Sequence, residues 1–385
     1  MSAFTYEIAS VIAAVEKRHP GHEEGSYALP WYLVVGNPGS GRSTALHAMS
    51  LTWEGNDGPF QTGAPAPLCT YWMPKEAVFI EPEATVLGPA RQPGHLTELC
   101  KELCVVRPRE PIDGIIVLVN IADFIDLDEN GLTNWANGIR RYLVEVGLAI
   151  GVDVPAYVIL TRYDALWGFA EVFQWTPERK KEDPWGFNLP LDTPSQDSLP
   201  RIKEQLDGLN ARIENFCLSR LCSEDPVELR VRSFQHLAEV RALMERLRTV
   251  FETIGMANSF ERAPWIRAVA IGSALPGTSG DRMRAGVSRF FNMGLAQAPA
   301  ASITGRPGGL PLYALMTNVI LPERDLVPLR TRWREDKMIQ LCVIFAGLLW
   351  VITIIAALVF AMAAAPHKKA APPLPPPATK TAPKR

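Results

Sequence analysis

One stretch carries the residue types and the spacing for phosphate chemistry: Trp31-Tyr-Leu-Val-Val-Gly-Asn-Pro-Gly-Ser-Gly-Arg-Ser-Thr44. A short apolar run breaks into glycines at Gly36, Gly39 and Gly41, then resumes with helix-forming residues from about Ser43. Strand, loop and helix follow in the order of a P-loop, with the spacing G-x-x-x-x-G-K-S/T. Glycines let the chain turn so tightly that the backbone N–H groups of Gly39, Ser40, Gly41 and the next residues face one anion. The dipole of the following helix adds to the attraction. A lysine in that pattern reaches the outer phosphates, and the hydroxyl after it holds Mg²⁺. Here Arg42 stands in the lysine position, with Ser43 as the Mg²⁺ hydroxyl and Thr44 behind it. Arginine remains cationic, but its planar fork is bulkier than an ammonium and aims differently. The cofactors such a cradle would take are GTP or ATP with Mg²⁺. The bland alternative is a glycine-rich strand-to-helix turn with no ligand.

Three further places belong to the same chemistry. Ala77-Val-Phe-Ile80 has the pattern of a short buried strand and runs into Glu81-Pro-Glu-Ala84. A nucleotide hydrolase ends this strand with an Asp that reaches Mg²⁺ and a Gly whose N–H meets the terminal phosphate. Glu81 could reach the metal through water, but the glycine is missing and Pro82 removes a backbone donor, so a strand end with a surface acidic turn is the competing reading. The tetrad Thr161-Arg162-Tyr163-Asp164 ends a later strand, where a guanine reader N/T-K-x-D would lie, again with arginine for lysine. Its competing reading is that Asp164 caps the next helix. After a final strand, Ser273 and Ala274 form a small-residue turn of the kind that can help hold a base. No residue stands out as catalytic, and any turnover would be that of a weak GTPase or ATPase.

The elements that must position these residues alternate strand and helix, which predicts a parallel sheet wrapped by helices on both faces. An amphipathic helix over residues 3–18 and a loop fill residues 1–26, and the P-loop α/β domain begins at 27 and runs to 170. Within it the spacing predicts a helix over 44–51, an exposed Gly/Pro-rich loop over 52–70, a helix over 96–104, a buried strand over 114–120, a helix over 133–146 and a strand over 156–160. Residues 171–262 read as a helical insertion, with long helices over 201–221 and 226–254 after a proline-rich connection. A last strand over 265–271 and helices over 281–293 and 311–321 complete the part from 263 to 336.

With 385 residues, a net charge of −2 and no concentrated basic stretch, nothing favours a nucleic-acid partner. The six cysteines form no C-x-x-C pair; Cys100 and Cys104 with His95 are three candidate zinc ligands without a fourth, so a helix face is the better reading. From Met338 to Ala365 the chain has no charge, and a helix of that length covers roughly 40 Å, enough to cross a ~30 Å hydrocarbon layer. Basic residues flank it on both sides, so the positive-inside rule nearly cancels. A folded domain without an export signal puts the bulk on the cytoplasmic side and the Pro/Lys-rich tail, residues 366–385, outside.

Together these residues resemble the IcmF/TssM family, the inner-membrane core component of type VI secretion systems. The resemblance rests on Leu29-Pro-Trp-Tyr-Leu-Val-Val-Gly36 with its P-loop, on Pro111-Ile-Asp-Gly-Ile-Ile-Val117, on Thr161–Asp164 followed by Gly168-Phe-Ala-Glu-Val-Phe173, and on Asn318-Val-Ile-Leu-Pro-Glu323. It implies a P-loop GTPase-like α/β head with a helical insertion, anchored in the bacterial inner membrane by a single C-terminal transmembrane helix. The implied role is a structural assembly subunit whose degenerate nucleotide domain recruits cytoplasmic partners; the alternative is a GTP-preferring switch with slow or no hydrolysis. The implied partners are a TssL-like inner-membrane protein, cytoplasmic baseplate components, membrane lipid and further copies in a multimer. The family's N-terminal membrane hairpin and periplasmic region have no counterpart in this sequence, so a separate periplasmic chain is also expected.

Overall fold

The computed structural model describes residues 3–20, 25–49, 51–53, 58–88, 91–173, 185–222, 226–256, 261–272, 312–328 and 331–363. Contacts divide the chain into two units, Met1–Arg330 and Thr331–Arg385.

The first unit is built on a seven-stranded sheet. Its central strands are β1 (Trp31–Gly36), β3 (Val78–Pro82), β4 (Gly114–Asn120), β5 (Pro155–Thr161) and β7 (Trp265–Ile271). These pair in parallel in the order β3-β1-β4-β5-β7. β1, β3, β4 and β5 are buried at every position. That explains why their sequences are continuous apolar runs without alternation: both faces are covered by helices. The edges differ. β2 (Cys69–Trp72) pairs antiparallel with β3, and β6 (Gly186–Asn188) pairs antiparallel with β7. The sheet is therefore mixed where the sequence pattern predicts an all-parallel one.

Both edge strands correct the sequence reading. β2 falls where the exposed loop 52–70 was expected to end, and Phe60 bridges to Tyr71 beside it. It is held from outside by α1 (Ala3–Arg18), whose fully buried Glu7 accepts hydrogen bonds from the N–H groups of Leu68 (2.7 Å) and Cys69 (3.2 Å). Burial pushes the Glu7 carboxyl pKa up, and those two backbone bonds oppose the shift. β6 lies inside the proline-rich connection to the helical insertion.

One face of the sheet packs against α1, α3 (His95–Val106), α5 (Glu129–Ile150), α7 (Ser198–Leu221) and α8 (Val227–Gly255) around a large apolar core. The other face packs against α2 (Arg42–Ala48) and the segment 312–321. Two short helices follow β4 and β5: α4 (Ile121–Phe124) and α6 (Phe169–Phe173). The helix expected over 311–321 is a helical turn, α9 (Tyr313–Leu315), running into a π-helical turn at Met316–Ile320. The helix expected over 281–293 lies outside the described residues. None of the six cysteines forms a disulfide, and among the described residues no His/Cys/Asp/Glu group could hold a metal.

The second unit contains α10 (Thr331–Ala363), a 33-residue helix. Its described side chains from 342 to 357 are all exposed and include Phe345, Leu348, Trp350 and Ile352. Counting described residues alone, no helix is long and apolar enough to cross a membrane.

Candidate functional site

The cradle residues sit at the carboxyl ends of β1, β3, β4 and β5. β1 feeds α2 on one face and β4 feeds α5 on the other, so the strand order reverses between them, at the place where open α/β sheets form their crevice. Gly36 ends β1 with no room to spare: a Cβ there would lie 2.6 Å from the Leu118 carbonyl oxygen on β4 and 2.6 Å from Ser40 Oγ. Gly39 and Gly41 both have φ of 81°, in the left-handed region that glycine enters without strain, and a Cβ on either would meet nothing within 4 Å. The loop thus turns as its sequence requires. Inside it the Ser40 N–H already donates to the Asn37 carbonyl at 3.0 Å, and Ser40 Oγ is buried with no hydrogen-bond partner among the described residues.

The side chains are arranged differently from the expectation. Arg42 turns back toward β3: its Nε lies 3.3 Å from Glu81 Oε1, and its Nη1 donates to the Pro82 carbonyl at 2.7 Å. Ser43 Oγ is within 3.3 and 3.1 Å of the two Glu81 oxygens, and the Trp72 indole N–H donates to Glu81 Oε2 at 2.9 Å. Glu81 is therefore a buried strand residue, not part of a surface acidic turn. The residues expected to meet phosphate and metal are joined to one another. Thr44 is exposed on the outside of α2. No local signal marks Trp72, because it arrives on β2, a strand that begins within the Gly/Pro-rich stretch. It packs edge-on against His47 of α2, with ring centroids 5.2 Å apart, and against Trp53.

The tetrad is brought to the same end of the sheet. Thr161 Oγ1 donates to the Ser40 carbonyl at 2.7 Å, tying the end of β5 to the loop. Arg162 is exposed with φ of 60°, the one left-handed non-glycine residue among those described, and its charge bears on Asp123. Burial pushes the Asp123 carboxyl pKa up and Arg162 pulls it down. Asn120, at the end of β4, caps α4 by accepting the Ala122 N–H at 2.9 Å and donates to Asp123 at 2.7 Å. Asp164 is buried in the turn after Arg162. Tyr163 is buried in the aromatic packing between α6 and α8, against Phe169, Phe173 and His236. Ser273 and Ala274 lie outside the described residues.

Beyond the tetrad, Gly168 (φ 79°) lets the chain approach α8 so closely that a Cβ would sit 2.2 Å from the Arg232 carbonyl oxygen. Glu171 then pairs with Arg232 at 2.8 Å, and Trp167 Nε1 hydrogen-bonds Gln235. The stretch Gly168–Phe173 is thus the joint between sheet and insertion. A second joint lies on the opposite face of the sheet. There Arg267 of β7, fully buried, donates to both oxygens of Glu323 (2.7 and 3.1 Å), and Tyr157 of β5 adds a bond of 3.0 Å to Oε2. Tyr32 of β1 donates to the Ile320 carbonyl at 3.0 Å.

Residues 89–348 match the family model described as the IcmF-related N-terminal domain. The chain is 25% identical over 316 residues to type VI secretion system component TssM1 of Pseudomonas aeruginosa, an alignment covering 78% of this chain and 28% of that protein. The chain thus spans under a third of its relative's length. A solved structure of an SsGBP variant is 14% identical, covers 41% of this chain and 46% of its own, and has a TM-score of 0.21, too slight a likeness to bear on the fold.

Proposed function

This chain belongs to the IcmF-related family, and from that membership we propose that it is a membrane-anchored structural subunit of a type VI secretion-like complex. Its α/β head recruits cytoplasmic partners. The observation that carries the reading is the family match across residues 89–348, which takes in the sheet from β4 onward, both joints and the start of α10. The self-paired Arg42, Glu81 and Ser43 favour assembly over turnover, because the groups that would stabilise charge in phosphoryl transfer are engaged with one another.

In this reading α10 spans the inner membrane once. A 33-residue helix is roughly 50 Å long, and Met338 to Ala365 carries no charge. The head, with Cys69, Cys100, Cys104, Cys217 and Cys222 in no disulfide, stays on the cytoplasmic side, a reducing compartment that suits them, and the tail lies in the periplasm. The partners are further copies of the chain, a TssL-like inner-membrane subunit and baseplate components. Affinity purification of the detergent-extracted full chain from its own host should recover an inner-membrane secretion subunit. Recovery of none would defeat the proposal.

A further inference from the structure

We propose that the cradle is latched from within: Arg42 is a built-in counter-ion to Glu81, and the latch keeps Mg²⁺-nucleotide out. This deepens the structural-subunit reading and rests on it in treating the head as a nucleotide-free platform.

An open cradle attracts its two ligands with two unpaired charges, a cation for the phosphates and a carboxylate for the metal. Here each charge is the other's partner. Arg42 Nε lies 3.3 Å from Glu81 Oε1 while Nη1 holds the Pro82 carbonyl at 2.7 Å, and both side chains are only 11% exposed. A planar fork can grip a carboxylate and a carbonyl at once, whereas a lysine ammonium is a point charge on a flexible stem. The remaining Glu81 oxygen takes Trp72 Nε1 at 2.9 Å and Ser43 Oγ at 3.1 Å, so the hydroxyl and carboxylate expected at Mg²⁺ are already bonded.

Either ligand alone meets a cost. A divalent cation between Ser43 and Glu81 would be placed beside the Arg42 guanidinium. A phosphate that drew Arg42 away would leave the Glu81 carboxylate unpaired beside a polyanion. The loop geometry agrees, since the Ser40 N–H is spent on Asn37. What the latch supplies is a fixed link from α2 to β3, and through Trp72 to the edge strand β2.

The test uses the full chain in detergent, with thermal unfolding followed by tryptophan emission. Arg42→Met and Glu81→Gln should each lower the midpoint by about 2–4 °C, and the double variant by no more than the larger single effect. Strict additivity would overturn the latch. A second arm needs no variant: Mg-GTP or Mg-ATP at millimolar concentration should leave the wild-type midpoint unmoved. A rise with either nucleotide would show an open cradle and overturn the proposal, since a ligand that binds the folded state raises its midpoint. Recovery of secretion subunits from the same preparations reports on the structural role separately.

Discussion

His236 on α8 is wholly buried, with Nδ1 2.8 Å from the Trp167 carbonyl and Nε2 3.2 Å from the Tyr163 hydroxyl. The carbonyl can only accept, so Nδ1 carries the proton, and the neutral ring takes its second bond from Tyr163. Burial pushes the His236 pKa down to about 4, and the carbonyl bond opposes this. The unfolded chain therefore binds a proton near pH 6.5 that the folded chain refuses until about pH 4. The contribution is present above pH 6.5 and is lost as pH falls through that window, on the order of 3 kcal/mol in all. Asp113 acts with the opposite sign. It accepts the Trp31 N–H at 2.7 Å and faces Arg107, yet burial pushes its pKa up to about 6. Its contribution is present at low pH and fades as pH rises to 6. The two slopes overlap, so wild-type stability should change less with pH than His236 alone dictates. His236→Gln should remove the destabilising slope and expose the opposite one. Urea unfolding of both proteins at pH 7 and pH 4.5 checks it, and equal slopes would refute the assignment.

Among the elements, those easiest to read in sequence are the ones whose burial is dictated locally. β4 and β5 appear as continuous runs because helices cover both their faces, and Gly36, Gly39 and Gly41 are legible as a turn because their backbone positions need glycine. β2 was not legible. Cys69-Thr-Tyr-Trp72 sits in a Gly/Pro-rich stretch, and its burial comes from Glu7, 61 and 62 residues away in sequence, together with β3. Arg42 reads as an altered phosphate ligand, because no local pattern announces its partner on β3. Glu323 likewise carries no signal of Arg267, 56 residues earlier, although the segment containing it was singled out. That ion pair is the clearest element-scale prediction. Arg267→Met would leave a buried carboxylate with Tyr157 as its remaining side-chain partner among the described residues, a loss of roughly 3–5 kcal/mol in the seating of residues 312–328. Amide exchange should accelerate there and stay slow in β4 and β5. Adding Glu323→Leu should restore part of the protection, because an apolar pair can replace a buried ionic one. Faster exchange across the whole sheet would mean the pair supports global stability and not this joint.

At the scale of the molecule, α10 is the element that needs a surround. Its described residues 342–357 carry exposed aliphatic and aromatic side chains on all sides, among them Val343, Ile344, Phe345, Leu348, Leu349, Trp350, Ile352 and Ile355. A helix apolar all round, with no polar face to present to water, needs a lipid or protein surround. Lipid is the simpler solvent for it, since a helix satisfies its own backbone hydrogen bonds. In the sequence, Arg332, Arg334 and Lys337 precede the uncharged stretch, and Lys368 and Lys369 follow it. If the helix spans the bilayer, the chain should remain with the membrane through alkaline carbonate and be released by detergent. Leu349→Arg with Ile352→Arg places two charges near the centre of the span, each costing about 2.5–3.5 kcal/mol on insertion scales. The double variant should therefore shift most of the chain out of the carbonate-resistant fraction, while Arg332→Gln with Arg334→Gln should leave it there. If wild type is itself extracted by carbonate, α10 is instead covered by protein, and the anchor must be sought in a partner subunit.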